Sequence, residues 1–183
     1  SDGSERRCSN WLTTDTSTLT AIANLVTSGA MVQPNTRPPT TSRERLEEKR
    51  VLARVGRVNW GLHLGATARN ADEIARAGNI ASVKVYMGSS TGDLLVDSDA
   101  DLEHVMRAAA EAGIPVSLHA EDEAVIRSRA AALPPDAGPE AHGWARPPEA
   151  AASAVRRALA LGERTGAALY FCHVSTAAEL ALL

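Results

Sequence analysis

Ile114-Pro115-Val116-Ser117-Leu118-His119-Ala120-Glu121-Asp122 is a short apolar run that follows a helical segment stopped by Gly113 and ends on a histidine with two acids behind it. A run of this kind reads as a buried parallel strand offering a side chain at its carboxyl end, where α/β folds place their chemistry. Ala168-Leu169-Tyr170-Phe171-Cys172-His173-Val174-Ser175-Thr176 repeats the plan: a helix closed by Gly166, an apolar strand, a histidine, then a helix start. One strand-end histidine is more often a hydrogen-bonded structural residue than a ligand. Two at equivalent ends point to a shared site.

A third strand, Ile80-Ala81-Ser82-Val83-Lys84-Val85-Tyr86-Met87, carries a lysine inside its apolar run. An unpaired ammonium there is costly, so Lys84 has to be paired, neutralised or chemically converted. Among 19 basic residues only Lys49 and Lys84 are lysines, which suggests that a lysine retained at this position is used for its amine. The following Gly88-Ser89-Ser90-Thr91-Gly92 loop lacks the lysine and spacing of a P-loop and is not read as a phosphate site.

Elsewhere the strand and helix signals alternate. Ser42 caps a helix from Arg43 to Ala53 whose charged face is solvated, and Val58 to Gly65 reads as a strand with His63 either packing or lining a cavity. Asn70 caps a short helix ending at Gly78, and Asp99 caps one running from about Asp101 to Ala112. Glu121 to Ala131 is helical, Leu133 to Pro148 is loop, and Glu149 to Arg164 is a long Ala- and Leu-rich helix. In His142-Gly143-Trp144-Ala145-Arg146, three side chains that a bare loop has little need of either face the site or divide into a packed tryptophan and two solvated neighbours. Pro34-Asn35-Thr36-Arg37-Pro38-Pro39 is a proline-rich loop, and Asn35 is locally a turn residue that can also project its amide into a site. Four alternations with short connections call for a parallel sheet with right-handed crossovers. A full barrel needs eight such units and about 250 residues, so this α/β chain amounts to roughly half of one.

The composition sets limits. With 183 residues, 44% of them hydrophobic and 22% charged, the chain can build one substantial core. A net charge of -3 and 3% aromatics argue against nucleic acid as a partner. No apolar run reaches membrane-spanning length and no secretory signal opens the chain, which is read as cytoplasmic. Cys8 lies in a polar leader and Cys172 in an expected buried strand, so no disulfide framework is read. Residues 1–32 form an atypical leader, with poor order expected through about residue 17.

Taken together, Lys84 to Gly92, Leu118-His119-Ala120-Glu121-Asp122, the His142 to Pro147 loop and Cys172-His173-Val174-Ser175-Thr176 resemble the dihydroorotases of the amidohydrolase superfamily. Pro34-Asn35-Thr36 matches the family's Met-Pro-Asn-Thr segment, with Gln33 where methionine is usual. The likeness covers about residues 33–183. It implies a metal-dependent TIM barrel in which a carboxylated Lys84 bridges two zinc ions, His119 and His173 bind the second of them, and Asn35 helps hold the substrate carboxylate. The implied reaction is zinc-dependent hydrolysis of the cyclic amide bond of dihydroorotate in pyrimidine biosynthesis. An amine released from its proton can capture carbon dioxide and become a bidentate oxygen ligand, which arginine cannot do.

The chain departs from that pattern in two places. Residues 1–32 contain no histidine where the family carries a His-x-His-x-x-Arg motif, and the family's catalytic aspartate lies beyond Leu183. Three expected ligands are present and the general base is not, so a partial enzyme with little or no turnover is expected. Allantoinases and hydantoinases share the lysine and histidine plan, and the loop after Lys84 favours dihydroorotase among them. A non-catalytic scaffold beside a transcarbamoylase, and a fragment that pairs with a second copy to cover its open sheet edges, are the rival readings.

Overall fold

A computed structural model describes residues 31–32, 34–55, 60–88, 94–134 and 136–183. The leader, except for Met31 and Val32, and the loop from Ser89 to Asp93 lie outside the described residues, as do the expectations that fall on them. Five parallel strands stand in chain order, β1 (Met31–Val32), β2 (Gly61–Gly65), β3 (Ser82–Tyr86), β4 (Val116–His119) and β5 (Leu169–Phe171). The helices between them are α1 (Arg43–Ala53), α2 (Ala71–Arg76), α3 (Asp99–Glu111), α4 (Glu123–Ala131), α5 (Ala141–Ala145), α6 (Pro148–Thr165) and, after β5, α7 (Ala177–Leu180). Sequential parallel pairing with helical crossovers is the construction of a (β/α) barrel segment.

The register sorts the side chains into two faces. Leu62, Leu64, Val83, Val85, Val116 and Leu118 project from one face into a core shared with Leu102, Val105 and Met106 of α3 and with Val155, Ala158 and Leu161 of α6. His63 is aligned with Ser82, Gly65 with Lys84, Lys84 with Ser117, and Tyr86 with His119, so these residues form the opposite face. That face corresponds to the inside of the barrel, and it is polar. In register order it climbs from His63 and Ser82 to Lys84 and Ser117 and then to Tyr86 and His119.

Local chemistry accounts for the helix ends and corrects several expectations. Ser42 does cap α1, accepting from Arg45 N–H. For α3 the cap is Ser98 rather than Asp99, because the serine hydroxyl accepts from Asp101 N–H and the helix starts two residues earlier than expected. Asp122 caps α4, so the helix begins at Glu123 and leaves Glu121 on the loop above β4. Asn70 stands at the N-cap of α2 without a side-chain cap bond; its amide instead donates to the carbonyls of Thr41 and Gly65. The stretch 141–145, expected as loop, forms the short helix α5. Gly166 closes α6 at φ 72, a left-handed position that favours glycine.

Candidate functional site at the carboxyl ends of the strands

Three consecutive strands bring Lys84, His119 and His173 to the same end of the sheet. Lys84 lies in the middle of β3 and is 3% exposed. Its Nζ sits 3.4 Å from Cys172 Sγ and 4.7 Å from the centre of the Tyr86 ring. Among the described residues no carboxylate forms an ion pair with it. Burial pushes the Lys84 amine below its ordinary value, against an opposing pull from Cys172. The side chain is therefore neutralised more readily than a surface lysine, and a neutral amine is the form that takes up carbon dioxide.

His119 ends β4, and His173 stands two residues beyond β5. The Nδ1 of His119 and the Nε2 of His173 are 2.9 Å apart, with the rings edge to face. Burial, then the neighbouring His119 and Lys84 charges, lowers the His173 imidazole below its ordinary value, which favours the neutral ring that binds metals. His173 also adopts φ 40, a left-handed backbone that a residue with a Cβ holds only when its surroundings impose it. A capping box follows it: the Thr176 hydroxyl accepts from Glu179 N–H, while the buried Glu179 carboxylate accepts from the backbone of Ser175 and Thr176.

The donor set was tested against a metal ion. Two imidazole nitrogens on one tetrahedral metal, with bonds of about 2.0–2.1 Å, stand about 3.3 Å apart, a few tenths of an ångström beyond the observed spacing. Among the described residues no group of three or more His, Cys, Asp or Glu side chains converges to hold an ion. The two imidazoles offer a pair of nitrogen donors close to the spacing a metal ion needs.

Around this centre lie residues whose roles the sequence did not disclose. Glu121 Oε2 lies 2.8 Å from His119 Nε2 and accepts from Arg146. Burial acts to raise the Glu121 carboxyl, but the His119 hydrogen bond and the Arg146 and His119 charges outweigh it and hold the group below its ordinary value. Of the three side chains singled out in the 142–146 segment, Arg146 reaches the site through Glu121, Trp144 covers the Arg129 guanidinium at 5.3 Å, and His142 is exposed. Cys172, expected inside a strand as core, stands just beyond β5, half-buried and facing Lys84. His63 is a packing residue: it is buried, its Nδ1 lies 2.7 Å from Ser82 Oγ, and Ser82 bonds Ser117 at 2.7 Å. Asn35 is half-buried in the loop that follows β1. Thr40 N–H donates to Pro34 C=O and Gly65 N–H donates to Thr40 C=O, both at 2.8 Å, and a Cβ on Gly65 would come within 2.6 Å of Pro34 Cβ. The loop is thereby pressed onto the residue of β2 that is aligned with Lys84.

Known proteins resemble this chain in sequence and fold. No protein-family model matches the chain. A dihydroorotase from Methanosarcina mazei is 36% identical over 147 residues, covering 79% of this chain and 32% of the relative. An allantoinase from Deinococcus radiodurans is 32% identical over 183 residues, covering 94% of this chain and 40% of its own, a span that takes in part of the leader. Among solved structures, the L-hydantoinase (dihydropyrimidinase) from Arthrobacter aurescens superposes with a TM-score of 0.77 at 26% identity, covering 83% of this chain and 35% of that one. A parallel barrel segment with these relatives resembles the cyclic amidohydrolases over most of its length. Within that family its relatives are dihydroorotases and allantoinases by sequence and hydantoinases by fold. The chain spans about a third of the length of the first of these relatives and two fifths of the second. Among the described residues no helix is long and apolar enough to cross a membrane.

Proposed function

We propose that this chain carries part of the zinc centre of a hydrolase acting on the cyclic amide bond of dihydroorotate. The observation that carries the reading is the convergence of a buried lysine, without a carboxylate partner among the described residues, and two imidazoles 2.9 Å apart at adjacent strand ends. Lys84 as its carbamate, His119 through Nδ1 and His173 through Nε2 hold the metal. When bound, zinc supplies Lewis acidity, lowering the pKa of water toward about 7 and polarising an amide carbonyl. The chain's own residues do the rest by position. Burial keeps Lys84 reactive toward carbon dioxide, Tyr86 and Cys172 shield its amine from bulk water, and Asn35 offers its amide to the substrate from the loop after β1.

The match to an allantoinase over 94% of the chain favours a second reading, in which the ring is allantoin or a hydantoin. The two readings separate by chemistry, because dihydroorotate carries a ring carboxylate that allantoin and hydantoin lack. Calorimetric titration of the chain, supplied with zinc and bicarbonate, against all three compounds tests this. Dihydroorotate is expected to bind most tightly, with Asn35→Ala weakening it by roughly tenfold, the worth of one hydrogen bond to a charged group, and leaving the other two unchanged. Tighter binding of allantoin or hydantoin, insensitive to Asn35, would transfer the proposal to the second reading.

A further inference from the structure

We infer that Glu121, clamped by Arg146, is a positioning residue that fixes the tautomer and orientation of His119. It holds the ring proton on Nε2 and turns the Nδ1 lone pair toward His173. The inference rests on the reading above only where it extends to the metal.

The geometry assigns the roles. A carboxylate held by a guanidinium accepts hydrogen bonds and donates none, so the imidazole nitrogen 2.8 Å from Glu121 Oε2 is the donor. A neutral ring with its proton on Nε2 has its lone pair on Nδ1, the atom that faces His173 Nε2. Carboxylate, histidine and metal in series are the arrangement that sets ligand orientation in many metal sites.

Glu121 is itself held from three directions. Gly88, at the end of β3, approaches so closely that a Cβ there would lie 2.8 Å from Glu121 O and 2.9 Å from Glu121 Cβ. The next residue, Asp122, donates its N–H to Ala150 C=O at 3.0 Å and accepts from Ser153 Oγ at 2.7 Å, tying this loop to the start of α6. Arg146 sits between α5 and the Pro147-Pro148 start of α6, so the guanidinium and the carboxylate it clamps share one support. The exposed side chains of Glu121 and Arg146 amount to only 19% and 21% of their surfaces. A solvated surface pair would not be enclosed to that degree.

The test uses the whole chain with 15N-labelled histidine, in two measurements. Long-range proton–nitrogen correlation spectra of the metal-free protein should show His119 with its proton on Nε2, a mixture of tautomers in Glu121→Ala, and partial retention in Glu121→Gln, whose carbonyl can still accept. Zinc affinity, read by competition with a chromophoric chelator, should fall about 10–100-fold in Glu121→Ala and less in Glu121→Gln. If Glu121→Ala does not fold, Glu121→Gln and Arg146→Gln carry both readouts. A proton found on Nδ1 in the unsubstituted chain overturns the inference. So does unchanged zinc affinity in Glu121→Ala when His119→Ala has lost it. If the unsubstituted chain binds no zinc at all, the metal reading fails, while the tautomer spectra still decide the role of Glu121.

Discussion

His63 shows what a single buried residue costs and what it reports. Burial, with the Lys84 charge adding to it, lowers the imidazole from 6.5 to about 4, and the hydrogen bond with Ser82 offsets this only in part. The folded state therefore refuses a proton that the unfolded state binds over that interval. Stability rises with pH wherever the unfolded state binds more protons, so it should fall by about 3 kcal/mol as the pH drops from 6.5 to 4. His63→Asn, which keeps a polar atom near Ser82 and does not titrate, should flatten that part of the curve in urea unfolding followed across pH. Parallel curves for the two proteins would contradict the account. Lys84, His119 and His173 were legible as candidates because each breaks or ends an apolar run. The role of Glu121 was not, because it depends on Arg146, 25 positions away, and Cys172 meets Lys84 across 88 positions. Local pattern carries no information about such meetings.

The elements hold the site through their junctions more than through their lengths. The strands were readable from apolar runs, and α1, α3, α4 and α6 from caps and periodicity. Their exact starts were less so, because Asp97-Ser98-Asp99 offers three capping residues in a row, of which Ser98 caps while Asp99 pairs with Arg157. Helix α5 was hidden because Gly143 and the two prolines behind it carry the signature of a loop. Asp122 is the clearest junction: it caps α4 through Ala124 and Val125 N–H and ties α4 to α6 through Ser153. Burial raises its carboxyl, but the Ser153 and backbone hydrogen bonds and the Arg157 charge win, leaving it below 3.8. Its contribution is thus complete above that ordinary value and lost only as pH falls through the lower folded-state one. Asp122→Ala should cost about 1–2 kcal/mol at neutral pH, measured from the urea midpoint, the worth of a cap and one further hydrogen bond. A shift below a few tenths of a kcal/mol would show that the junction is held by packing alone.

At the scale of the whole molecule, a sheet with an apolar face against helices and a polar face within delivers three reactive side chains from β3, β4 and the turn after β5 to one place. Parallel pairing in sequence order explains why residues 84, 119 and 173 meet: each is displaced by one crossover from the last. The central claim is that the described chain assembles these residues into a metal-binding centre by itself. Metal content, measured by mass spectrometry on protein purified without chelator, tests this most directly beside Lys84→Ala, His119→Ala and His173→Ala. Zinc near one equivalent in the unsubstituted chain, lost in each of the three variants while all remain folded, is the predicted result. Absence of metal from the unsubstituted chain, or retention in all three variants, would contradict it.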